Sequence, residues 1–172
     1  MTHSRKKSRA ALAAALWLAL APAALAQNDA AAESATAFDA HYTTAFQSAQ
    51  EINAGNLLNS DRARYGLSPL VIDPELSRIA RIKSADMRDN HYFAHTSPTY
   101  GDVRQMLTQF GYSYAAAGEN IAHHRDVDKA QAALISSPGH RRNVLSRACT
   151  KVGIGIALDE NGYVYLTQIF CR

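Results

Sequence analysis

The chain has 172 residues, 47% of them hydrophobic and 19% charged, with a formal net charge of +3. Four of its 18 basic residues, Arg5, Lys6, Lys7 and Arg9, stand in the first ten positions, where there is no acid, so from Gln27 onward 14 bases face 15 acids. Nothing in that near-neutral balance argues for a nucleic-acid or polybasic membrane partner, which needs a clustered cationic face, and the roughly 146 residues that follow are enough for one domain with a substantial core.

The basic start runs into "ALAAALWLALAPAA" and then Ala24-Leu25-Ala26, the layout of a secretory signal peptide over residues 1–26 with a small-residue cleavage site. No apolar run of about 18 residues occurs here or downstream, so no membrane-spanning segment is expected once the leader is removed. The expected product is a secreted protein, extracellular or periplasmic, starting at Gln27. Residues 27–37, Ala-rich and polar, read as a flexible lead-in, followed by a single domain over 38–172.

The first helix is expected within 38–65, with Gly55 as a point of interruption and Gly66 and Pro69 as stop signals. Asp73 as cap and Pro74 in the first turn, followed by Leu76, Ile79, Ala80, Lys83 and Met87 at helical spacing, predict a helix over 74–89. "DVRQMLTQFGY" reads as a short helix from Asp102 to Gly111, 118–123 as a strand, and 126–136 as another helix. Ser137 as cap and Pro138 then open a further turn or two. The period changes in "KVGIGIAL" and "YVYLTQIF", which "DENG" joins as a hairpin. Helices first and a hairpin last make the class α+β rather than alternating α/β.

With the turn centred on Glu160 and Asn161, Cys149 and Cys171 fall within one residue of facing each other. A disulfide is the expectation for an exported chain, stabilising by about 3 kcal/mol in the chain-entropy view; two free thiols are the competing reading. A second feature is "DNHYFAHTSP", residues 89–98, where His91 and His95 stand four apart. Pro98 and the loop before it argue against one helix carrying both rings.

"LLNSDRARYGLSPLVIDPELSRIARIKSADM", "YFAHTSP", "GYSYAAAGENIA", "SSPGHRRNVL" and "VGIGIALDENGYVYLTQIF" together resemble, in order and spacing, the bacterial SCP-like branch of the CAP superfamily, which includes cysteine-rich secretory proteins, insect venom antigens and pathogenesis-related plant proteins. The resemblance implies an α-β-α sandwich, a central antiparallel sheet flanked by helices, with a shallow cleft that gathers two His and two Glu. His95 matches the first histidine and Glu119 one glutamate. Tyr165 stands where the second histidine would be, and the second glutamate falls near Ser137. His140, in "SSPGHRR", resembles the bacterial branch.

His95, Glu119 and His140 are therefore the expected cleft residues, with Tyr165 and Gln168 as further lining. His91 reads as a solvated residue at a helix end, and at most one of His123 and His124 faces the cleft, with His124 as the candidate. Two imidazoles and a carboxylate with an open position could take zinc or another divalent metal weakly, and a helix start at Pro138 favours the neutral, metal-binding form of His140. In the competing reading Glu119 and Asn120 only pin loops through hydrogen bonds. HExxH, G-x-S-x-G and a catalytic thiol are absent. The expectation is a monomeric binding module for a lipid, glycan or other envelope component, with no required cofactor. A metal-assisted hydrolase acting on envelope material and a purely structural envelope protein are the alternatives.

Overall fold

The computed structural model describes residues 48–172; the expected signal peptide, the lead-in and the beginning of the first predicted helix lie outside the described residues. Helix α1, Ala49–Arg64, starts in a capping box in which Ser48 Oγ accepts from the Glu51 amide and the Glu51 carboxylate accepts from the Ser48 amide. Gly55 does not interrupt it: a side chain there would sit 3.1 Å from Ile72, so the missing Cβ is a packing feature. After the short strand β1, Val71–Ile72, helix α2 covers Pro74–Asp89, with Asp73 accepting from the amides of Glu75 and Leu76.

The end of α2 has a particular geometry. The His91 amide donates to the Arg88 carbonyl and the Tyr92 amide to the Met87 carbonyl, the two bonds of a Schellman motif. His91 occupies its left-handed position at φ 52°, where glycine is the lowest-energy residue and any other costs about 1–2 kcal/mol.

Helix α3 (Val103–Gln109), strand β2 (Ala117–His124), helix α4 (Val127–Ser136), helix α5 (Pro138–Val144) and strands β3 (Lys151–Leu158) and β4 (Val164–Cys171) follow. Ser137 makes no side-chain cap, contrary to expectation. It ends α4 and starts α5 at once, its amide bonded back to Ala133. The sheet order is β1-β3-β4-β2. The last three strands are antiparallel, but β1 joins β3 in parallel, so the expected antiparallel sheet carries one short parallel edge.

Strand alternation sends side chains to two cores. Leu76, Ile79, Ala80 and Ile82 of α2 pack with Met106, Ile169 and Cys171 on one face, while α1, α4 and α5 pack with Val152, Ile154, Leu166 and Phe170 on the other. The result is the α+β sandwich, helices on both faces of a sheet. Gly153 and Gly155 let α2 come close to β3: a Cβ at either would lie 2.1–2.2 Å from the backbone of Leu76 or Ala80.

The cysteine expectation is corrected by the register. Lys151 faces Cys171, which leaves Cys149 two residues outside the ladder. Cys171 points into the α2 core, whereas Cys149 packs against the opposite one. Both thiols are free, and burial pushes that of Cys171 up to about 12. The register differs because the hairpin loop is longer than a tight turn: the Asp159 carboxylate accepts from the amides of Asn161 and Tyr163, and Gly162 adopts φ 78°.

Candidate functional site

Two charged residues lie in the buried stripe of α2. Lys83, 1% exposed, donates to Tyr92 Oη at 3.1 Å and to the carbonyls of Ala94 and His95 at 2.9 and 3.0 Å. Asp86, 4% exposed, accepts from Tyr92, from Ser97 at 2.6 Å, from Thr99 at 2.9 Å and from Asn90 at 2.7 Å. The loop after α2 is thus fastened to the helix along much of its length. Burial pulls the Lys83 ammonium below the ordinary lysine value, and burial with the Asp86 bond pushes the Tyr92 phenol up.

This loop presents His95 to β2, where its Nδ1 lies 2.7 Å from Glu119 Oε1. The carboxylate is almost wholly buried and the imidazole more than half exposed. The bond to Glu119 raises the His95 pKa, more than burial lowers it. His140, on α5, has its ring centroid 6.3 Å from that of His95, and its pKa is lowered by burial first and by His95 second. The direction agrees with a neutral His140, although burial rather than the helix start is the leading cause. Glu119 Oε2 is buried and has no hydrogen-bond partner.

The expected three-ligand metal site is not assembled. Among the described residues no group of three or more His, Cys, Asp or Glu is placed to hold a metal ion. Glu119 engages His95 through Nδ1, so it orients the imidazole instead of standing beside it as a third ligand.

Tyr165 lies beside this region, its ring stacked on His123 at 4.0 Å and 15°. His123, four residues along β2 from Glu119, shares its face; His124, the candidate from sequence, takes the other. Gln168 is also corrected. It pairs with Asn120 across the ladder, is fully buried, accepts from Asn120 at 3.3 Å and donates to Gln131 at 2.7 Å, all on the face opposite Glu119. Asn120 donates to the His140 carbonyl at 3.1 Å. Asn143 donates to Asn120 and to the Glu119 carbonyl, which covers the edge of β2. His91 is exposed, as expected. Sequence reasoning missed Lys83 and Asp86 as site-building residues, although a lysine within the apolar spacing of 74–89 was the available signal.

Residues 56–170 match CAP, the cysteine-rich secretory protein family. The chain belongs to this family. Over 150 residues it is 42% identical to YkwD of Bacillus subtilis (strain 168), a match covering 85% of this chain and 58% of that protein. An extracellular protein containing a SCP domain from Bacillus anthracis str. Ames is similar in structure at 35% identity and a TM-score of 0.63, over 70% of this chain and 39% of that one. The CAP chain therefore spans little more than half, or less, of these relatives. An outer surface protein from Borrelia burgdorferi shares the fold at 16% identity and a TM-score of 0.66, over 74% of this chain and 96% of that one. No helix among the described residues of the CAP chain is long and apolar enough to cross a membrane.

Proposed function

We propose that this CAP chain is an exported binding module whose cleft takes a glycan component of the cell envelope. The observation that carries the reading is Glu119 Oε2, buried beside His95 without a partner. A buried acceptor left open costs roughly 1–3 kcal/mol, and a ligand hydroxyl or amide N–H would recover it. A purely apolar lipid tail offers no such donor. His95 bonds the same carboxylate, and the His140 ring, 6.3 Å from that of His95, can hydrogen-bond to a ligand held there. Export is supported by the basic, apolar and small-residue layout of residues 1–26 and by the extracellular description of the B. anthracis relative.

Amide chemical shifts of the 15N-labelled protein titrated with chitobiose test this. The expected result is saturable movement at Glu119, His95 and His140 that Glu119→Gln weakens at least tenfold with the fold intact. No movement, or an unchanged affinity in the variant, sinks the reading. The closeness of the two imidazoles, 6.3 Å between ring centroids, favours a second reading, hydrolysis without a metal: Glu119 raises one pKa and burial lowers the other, which would suit a general acid and a general base. Prolonged incubation with the same disaccharide decides, because only hydrolysis yields free monosaccharide.

A further inference from the structure

The face that carries Glu119 continues along β2 to a set of rings the cleft does not use. His123 stacks on Tyr165, with Tyr163 at 5.9 Å and Phe93 at 6.3 Å from it. Phe93 is 51% exposed and Tyr163 37%. Beside Tyr165 is a hollow of about 460 Å³ bordered by Arg88, His91, Asp159 and Asn161, a size suited to a small polar ligand. Asp159 also bonds His123 at 3.2 Å, which fixes that ring under its neighbours.

We propose that these rings form a second subsite for the same glycan, so that the protein reads a linear uncharged polysaccharide along β2. The inference rests on the cleft reading for one end of the chain. Three observations support it. Glu119 and His123 are four residues apart on one face, about 13 Å at the rise of a strand, the reach of about two to three sugar units. One loop serves both places, since Phe93 lies over His123 and His95 over Glu119, and Lys83 fastens the segment between them. The chemistry also suits a sugar: exposed aromatic faces take its C–H surfaces, while the Asn161 side chain and the remaining lone pairs of the Asp159 carboxylate can bond its hydroxyls. Asp89, Asp159 and Glu160 line the hollow alongside Arg88, an acidic balance that disfavours a phosphate-bearing polymer or an anionic lipid surface. His91 borders the same hollow from a backbone position where glycine would be less strained.

Calorimetry with chitobiose and chitohexaose, on wild type and on Phe93→Ala, Tyr163→Ala and Glu119→Gln, tests the proposal. Phe93 is about half exposed and Tyr163 about a third, and thermal unfolding checks that these truncations leave the fold in place. Chitohexaose should bind more tightly than chitobiose, and each aromatic variant should weaken the hexamer about fivefold without changing the dimer. Glu119→Gln should weaken both. If the aromatic variants leave chitohexaose unaffected while chitobiose still depends on Glu119, the second subsite is overturned and the cleft reading stands. If they weaken chitohexaose while Glu119→Gln changes neither ligand, the ring surface stands as a site of its own and the cleft reading fails. No binding of chitohexaose, or association with phosphatidylcholine vesicles that depends on Phe93 and Tyr163, overturns the proposal in favour of another ligand or a lipid surface.

Discussion

Glu119 and Asn120 are neighbours in β2, yet the two faces of the sheet treat their polar groups in opposite ways. Asn120 enters a closed network: its amide bonds Gln168 and the His140 carbonyl, Asn143 bonds its oxygen, Gln168 bonds Gln131, and Gln131 bonds Asp61 at 2.8 Å. Among the described residues, every buried side-chain nitrogen and oxygen on that side has a partner. Glu119 spends one oxygen on His95 and leaves the other open. A closed network holds elements in register, since its hydrogen bonds depend on the fold staying assembled. A buried acceptor that the chain leaves unpaired carries an unreturned desolvation cost, and that difference between two neighbouring residues is the basis of the proposed glycan site.

The largest effect should come from breaking the closed side. Asn120→Ala leaves the Gln168 oxygen, the His140 carbonyl and the Asn143 amide each short of a partner, and should destabilise by about 3 kcal/mol. In urea unfolding this appears as a lower midpoint with an unchanged slope. An effect under about 1 kcal/mol would make the two sides equivalent after all.

An intermediate effect is expected on the open side. By NMR, His95 should titrate above the ordinary histidine value of about 6.5 and His140 below it. Glu119→Gln should bring His95 down. The raised His95 value means that its stabilising contribution is fully present below about pH 6.5 and is lost as pH rises through the folded value. His140, with a lowered value, contributes above about pH 6.5 and loses that contribution as pH falls through its folded value. The stability gap between wild type and Glu119→Gln should therefore widen from about pH 8 to pH 6, modestly because His95 is more than half exposed. A gap that narrows over that range would contradict the pairing.

The smallest effect belongs where the closed network reaches water. Arg64 bonds Asp61 at 3.0 Å, but its side chain is 72% exposed, and Arg64→Ala should change stability by about 0.5 kcal/mol or less. A loss above about 1 kcal/mol would extend the closed network to the surface.

Sequence pattern reached one of these sides better than the other. Asp73 with Pro74 located α2, and the change of period located the hairpin, because caps and alternation are local physics. The family resemblance brought His95, Glu119 and His140 to one region. It also assigned both Tyr165 and Gln168 to the cleft, although residues three apart in one strand take opposite faces, and the pairing of Gln168 with Asn120 shows that Gln168 is the one that faces away. Which side a strand residue takes depends on register, and register here depends on a hairpin loop organised by Asp159, whose side-chain bonds no composition reports. The cysteine pairing failed for the same reason. The open Glu119 oxygen was invisible in sequence because it is a property of what surrounds a residue in space.

The position of β4 has a consequence for how the chain reaches this state. It lies between β3 and β2, with α2 in contact across the sheet, and both β3 and β4 follow α1 to α5 in chain order. A growing chain that has delivered those helices has amphipathic segments with β1 and β2, but no strand to sit between them. Its contacts span long stretches of sequence, α2 with β3 and β2 with β4, so closure of large loops precedes most of the gain, and folding of this kind is slow. Until the hairpin arrives, the apolar helix faces and the strand edges of such a chain have nothing to cover them, the condition in which aggregation competes with folding.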